Sequence, residues 1–236
     1  MLHWLYPSVC ELCHEPCEHN LCPACAERLP RVPAPICLYC GAPVAGEQVD
    51  AYHCRACTAR PRHFDFARSA LARSEEALAL IYRLKYHRAN YLAPALAGML
   101  NSLWESTPGL LAHGDWVLVP VPAGAEHLFA RGYNQAEELA CALGRLRGLR
   151  VCAPLVRQST AHESQTRLSA GERWRNALQA YTPLPAWSEG RKRLPQRVVL
   201  VDDVYTTGST ARACARALKS LPGVECVAVL TLMRAT

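Results

Sequence analysis

The spacing of apolar residues changes several times along this chain, and the changes mark its elements. Between Glu75 and Tyr86, apolar side chains recur at Leu78, Ile81, Tyr82 and Leu84, a spacing that predicts an amphipathic helix. Tyr91–Trp104, entered near Pro94, and Gln135–Leu146 predict two more helices. Phe64–Leu71 reads as a strand. Trp116–Val121 is a short, nearly continuous apolar run, as a parallel strand buried on both faces requires. Further on, Arg197–Val201, Ser209–Ser220 and Cys226–Leu232 predict a β-α-β unit whose helix stops at Pro222-Gly223. Strands alternating with helices define an α/β fold with a parallel sheet flanked by helices. Ligands on such sheets gather at the carboxyl ends of the strands, here Asp202/Asp203 and Val119–Pro122. Two stretches carry no period. Segment 157–176, with Arg157, Gln165 and Arg167, is polar and predicts a flap over a site. Segment 182–196, with Arg191-Lys192-Arg193, predicts an exposed loop. The aperiodic stretch Thr58–His63, holding Pro61, predicts a boundary between a small domain at 1–60 and a larger one at 61–236.

Before residue 60 the signal is chemical rather than periodic. Four Cys-x-x-Cys pairs, Cys10/Cys13, Cys22/Cys25, Cys37/Cys40 and Cys54/Cys57, can each form a knuckle presenting two thiolates to a metal. Two knuckles complete a tetrahedral site, so the pairs predict two structural Zn²⁺ centres. Sequential pairing is the first expectation, with a cross-brace of 10/13 with 37/40 as the alternative. An iron–sulfur cluster is a weaker alternative to zinc. Gly41 follows Cys40 where a tight knuckle turn favours glycine. Cys17, His14 and His19 read as bystanders inside the first site's loop.

Composition narrows the classes. The chain has 236 residues, half of them apolar, enough for one or two cores. No apolar run approaches the ~20 residues that span a bilayer, and Met1–Cys10 lacks the basic-then-apolar pattern of a signal peptide. These features predict a cytoplasmic protein without membrane insertion. There, 13 cysteines call for metal rather than disulfides. The net charge of +6 is uneven, since residues 1–63 carry five Arg against six acids and all the surplus lies beyond. That surplus suits anionic ligands. Only three of the 26 basic residues are lysine, so a lysine such as Lys85 is more informative than any one arginine.

The apolar run Val198–Val201 ends in two carboxylates, Asp202 and Asp203, and then in a turn of hydroxyls and one glycine: Thr206, Thr207, Gly208, Ser209 and Thr210. A buried strand feeding such a turn at a helix N-terminus is a phosphate cradle, since backbone N–H groups and the helix dipole both favour an anion. The carboxylates add acceptors for hydroxyls, so a ribose 5-phosphate fits both halves. A second segment, Val119–Pro122 followed by Arg131-Gly132-Tyr133-Asn134-Gln135, stiffens a strand exit with prolines and offers Arg131 as a bidentate donor to phosphate oxygens.

Val198–Thr210 resembles the motif with which type I phosphoribosyltransferases bind phosphoribosyl pyrophosphate (PRPP). Taken with the Cys-x-x-Cys pairs, Leu84-Lys85-Tyr86, Val119–Pro122, Arg131–Gln135, Gln165 and Arg173–Asn176, the chain resembles the ComF/GntX family from Cys10 to about Arg234. The resemblance implies a type I phosphoribosyltransferase-like sheet behind a double zinc ribbon. It implies that Asp202 and Asp203 accept the ribose hydroxyls of PRPP and that Thr206 to Thr210 hold its 5-phosphate. Lys85 and the Pro122–Arg131 loop would lie near the pyrophosphate, with Mg²⁺ bridging its oxygens, and segment 157–176 would be the flexible loop. Arg88 departs from the glycine that many relatives carry after the Leu-Lys-aromatic triplet. The implied role is single-stranded DNA uptake and handling in natural transformation, with competence proteins as partners. The alternatives are phosphoribosyl transfer to an unidentified metabolic acceptor, or a zinc-ribbon adaptor with a vestigial PRPP site. No catalytic residue is implied.

Overall fold

A computed structural model describes residues 8–44, 53–58, 61, 63–86, 88–107, 115–158 and 179–235. Its core is a four-stranded, fully parallel sheet of β1 (Phe66–Ala72), β2 (Trp116–Pro120), β5 (Arg197–Tyr205) and β6 (Cys226–Arg234) in the order β1-β6-β5-β2. Strands β3 (Leu155–Arg157) and β4 (Tyr181–Pro183) pair antiparallel in a separate ribbon. The strands are apolar runs because both faces of the sheet are covered. Alternation then divides each strand. Val199, Val201, Ala228 and Leu230 face one core, while Val198, Leu200, Val227 and Val229 face the other.

The first core is closed by α3 (Glu75–Tyr86), α4 (Ala93–Glu105) and α6 (Gln135–Arg147). The second is closed by α8 (Ser209–Lys219), against which the β3–β4 ribbon packs. The shorter helices are α1 (Pro23–Arg28), α2 (Arg55–Thr58), α5 (Ala125–Arg131) and α7 (Pro185–Ser188).

The cysteine-rich head clasps the β1 edge and feeds both cores. Cys10, Leu21, Cys25 and Leu29 join the first, and Cys37, Tyr39, Cys40 and Cys57 join the second. The head's backbone also satisfies edge donors, with Ala67 N donating to Tyr39 O and Ala72 N to Pro30 O (2.7 and 2.8 Å). An ion pair between Glu11 and Arg83 ties it to α3. The two knuckles repeat one geometry. Val9 bridges Pro16 as Ile36 bridges Pro43, and His14 (φ 63°) stands where Gly41 (φ 70°) stands in the second. The Cys37–Cys40 knuckle abuts β1. A Cβ at Gly41 would come within 2.7 Å of Ala67 O, so that position needs glycine for space as well as conformation.

Three departures from the sequence expectations bear on the region around the site. Strand β5 does not stop at Val201 but runs on through both aspartates to Tyr205, because β6 continues beside it as far as Arg234. Helix α5 is additional, and it buries none of its residues. Segment 182–196 is not wholly an exposed loop, since it contains the end of β4 and α7, and Leu194 is buried.

Candidate functional site

Strand β2 ends at Pro120, opposite Val201, so residues 202–205 extend past it and pair only with β6. The sheet therefore has a step, with both aspartates at its lip. Asp203 turns into a polar chain. It forms an ion pair with Lys85 from α3 and accepts from Gln135 Nε2 at 3.4 Å, while Gln135 Oε1 accepts from Arg131 Nη1 at 2.9 Å. Arg131 also lies 4.9 Å over the Tyr86 ring. Lys85 and Arg131, read as neighbours of a pyrophosphate, are thus linked through the Asp203–Gln135 pair. Asp202 is half-buried and accepts from the Asp203 backbone N–H at 2.9 Å. Burial, and then the adjacent Asp203 charge, push its carboxyl well above the usual carboxylate range.

The Arg131–Gln135 segment is organised by its own side chains. Gly132 closes α5 at φ 81°, Asn134 Oδ1 caps α6 by accepting from Ala136 N, and Asn134 Nδ2 donates to Val121 O. The Tyr133 hydroxyl donates to Leu84 O on α3. Asn134 and Gln135 hold the protein's own segments together.

Beyond the strand, Gly208 (φ 73°) starts α8 with no side chain of its own to cap it, and Thr207 Oγ1 accepts from Ser209 N at 3.4 Å. The first turn of α8 carries no acidic residue, so the dipole faces the loop unopposed. Thr207 Oγ1 donates to Ser209 Oγ at 3.1 Å, and Thr206 and Thr207 are exposed. A Cβ on Gly208 would overlap the Tyr205 hydroxyl and come within 2.8 Å of Arg212 Nη1, so only glycine fits. A cavity of about 810 Å³ opens in front of the lip, lined by Lys85, Asp202, Asp203 and Thr206 at its polar end and by Tyr82, Tyr86 and Leu78 along α3. The structure thus brings Asp202, Asp203, Thr206 and Lys85 to one cavity, with Thr207 and Gly208 in the adjoining loop and Ser209 and Thr210 opening α8. The expected flap, including Gln165 and Arg173–Asn176, falls mostly outside the described residues.

Sequence reasoning missed Tyr205 and Arg212, which support the loop from below. The available signal was an arginine on the otherwise apolar face of an alanine-rich helix.

The eight cysteines gather as Cys10, Cys13, Cys22 and Cys25 and as Cys37, Cys40, Cys54 and Cys57, the sequential pairing, and the cross-brace is overturned. Within each set the sulfurs lie within 4.8 Å of one another, with Cys13–Cys22 at 3.8 Å and Cys40–Cys54 at 3.6 Å. A Zn–S bond of ~2.3 Å in a tetrahedron gives edges of ~3.8 Å, so both sets fit zinc. All four corners are sulfur, which leaves no open position and suits a structural ion. Burial pushes Cys10 and Cys37 up, but backbone N–H donors outweigh it and bring both down to about 6. Burial and then the Cys22 sulfur push Cys25 up to about 12, and burial raises Cys57 as well. Four thiolates gathered this closely repel one another, and a cation among them offsets that repulsion.

Fold and site together define a class of protein, an α/β sheet with a candidate phosphate-loop site at its carboxyl end and two cysteine-bound metal centres clasping one edge. Residues 1–58 match the double zinc ribbon domain model. The chain is 29% identical to "Competence protein F" of Haemophilus influenzae over 219 residues, covering 92% of each. It is 30% identical to "DNA utilization protein YhgH" of Escherichia coli (strain K12) over 221 residues, covering 90% of this chain and 91% of that one. It is 27% identical to "Competence protein ComFC" of Bacillus subtilis over 223 residues, covering 92% and 85%. The chain belongs to the ComF family.

Proposed function

We propose that this protein binds PRPP with Mg²⁺ at the β5–α8 loop and acts in the uptake or handling of single-stranded DNA in the cytoplasm. The observation that carries the first part is the step at the end of β5, where carboxylates on the strand adjoin the N-terminus of α8 behind Gly208. In this reading Thr206–Thr210 hold the 5-phosphate, Asp202 and Asp203 accept ribose hydroxyls, and Lys85 and Arg131 lie near the pyrophosphate, whose charge Mg²⁺ would help to neutralise. Residues 1–60 hold zinc and residues 61–236 hold the ligand. Tyr82 and Tyr86, with ring centroids 4.8 Å apart, give the cavity a wall suited to a planar group next to the sugar. If the protein transfers phosphoribosyl, the anomeric carbon's bond to pyrophosphate breaks as its bond to the acceptor forms. Charge stabilisation then contributes more than any single acid or base. The names of the relatives, competence and DNA utilization proteins, favour the second part.

Calorimetric titration of the zinc-loaded protein with PRPP at millimolar Mg²⁺ should give saturable binding. Binding should disappear in Asp202→Asn/Asp203→Asn with zinc content unchanged. Absence of binding to the unsubstituted protein overturns the ligand assignment. Affinity for a labelled single-stranded oligonucleotide should fall steeply with salt, and no binding at low salt would remove direct DNA contact.

A further inference from the structure

We infer that Arg212 is a positioning residue that ties the ligand loop to the second four-cysteine site, so that the metal there holds the loop in shape. Arg212 is only 1% exposed, among the most buried large side chains of the protein. Its Nη1 donates to the carbonyl of Thr207 in the loop at 2.9 Å. Its Nη2 lies 4.0 Å from the sulfur of Cys57. One planar guanidinium thus spans the loop and a metal ligand, a geometry that arginine's fixed fork allows and a lysine cannot reproduce.

The packing around it runs the same way. The guanidinium lies 5.7 Å over Phe64, which stacks on Tyr39 at 4.4 Å, and Tyr39 sits between Cys37 and Cys40 in the chain. Phe64 meets Tyr205 edge-on, and Tyr205 lies directly beneath Gly208. Arg234 covers the Tyr205 ring at 4.8 Å and donates to Cys40 O at 2.7 Å, its Nη2 lying 3.7 Å from Cys40 Sγ. Two buried arginines therefore each touch a cysteine of the second site and a support of the loop.

Charge explains why both belong there. Four thiolates around Zn²⁺ carry a net charge of about −2, which these two guanidinium groups, with the buried Arg68 beside Cys37 and Cys40, offset. Losing the metal unfastens Cys40 and Cys57, the sulfurs against which Arg234 and Arg212 lie, and so releases both arginines from their places. At the first site the corresponding donor is Arg28, on the head itself, at 3.0 Å from Cys25 and without a contact to the loop. The two metal centres are accordingly unequal: among the described residues, the second alone touches a side chain that reaches the ligand loop.

The inference rests on the proposed function only for what the loop binds, and its test is split to match. Hydrogen exchange of the loop amides is followed in the full-length, zinc-loaded protein. In Arg212→Met, amides of residues 207–210 should exchange about tenfold or more faster, and PRPP should bind about tenfold or more weakly, with two zinc ions retained. Arg212→Lys, which can serve one acceptor but not both, should lie between. A matched pair needs no change at Arg212, since Cys54→Ser weakens the second site and Cys22→Ser the first. Loop exchange should rise in Cys54→Ser and stay at the unsubstituted level in Cys22→Ser. Equal effects in that pair, or an unchanged loop in a two-zinc Arg212→Met, overturn the inference. A loop that responds as expected in a protein that binds no PRPP leaves the coupling standing and removes the ligand assignment alone.

Discussion

Gly208 is fixed by conformation and by space at once. Its φ of 73° costs a non-glycine residue about 1 kcal/mol, and the Tyr205 hydroxyl and Arg212 fill the room a side chain would need. Gly208→Ala should lower stability by about 1–3 kcal/mol, lowering the melting temperature by several degrees. Phosphate-ligand affinity should fall with it, and a thermal scan beside a PRPP titration checks both. Asp202 makes a different prediction. Because its carboxyl is raised, the folded chain keeps a proton that the unfolded chain releases above about pH 4. Stability therefore falls as pH rises from there toward the raised pKa, by at most about 1.4 kcal/mol per pH unit. Asp202→Asn should flatten that slope in denaturant midpoints measured between about pH 4 and 7, and an unchanged slope refutes the cause assigned. The chemistry of both residues was legible in the sequence, because a carboxylate pair and a glycine-hydroxyl turn are local signals. Arg212 was not. Arg212 and Arg216 look alike in an arginine-rich chain, yet one is buried under the loop and the other is exposed.

Helix α3 was the most legible element, and the structure reproduces its expected bounds, Glu75–Tyr86. It presents Lys85 to Asp203 and places Tyr82 and Tyr86 along the cavity, so its stability reaches the site. Ser74 Oγ accepts from Ala77 N at 3.1 Å at its start. Ser74→Ala should cost about 1 kcal/mol in chemical denaturation while leaving zinc content unchanged. Strand β5 was legible only to Val201. Aspartates are poor strand formers by themselves, and the extension to Tyr205 depends on pairing with β6, which no local window contains. Helix α5 was illegible for the opposite reason. It buries nothing, and Phe129 is 94% exposed, so no apolar stripe announces it.

At the scale of the molecule, the cysteine spacing announced two metal centres but not where they sit. One lies against each face of the sheet, and the backbone between them satisfies donors on the β1 edge. That arrangement depends on contacts far apart in the chain, such as Arg234 with Cys40. Removing residues 1–60 should therefore bare an edge strand and part of both cores, giving an aggregating product; a soluble, monomeric 61–236 fragment on gel filtration would count against this placement. The same clasp orders events in time. β1 pairs with β6, which follows it far along the chain, so during synthesis it waits until β6 has emerged. All eight metal-binding cysteines precede it and can close around zinc first. The head then acts as a guard on a half-made sheet, shielding one edge of β1 until β6 arrives at the other. Ribosome-arrested chains ending before β6 should already hold two zinc ions, and chains that gain them only with β6 would reverse the order.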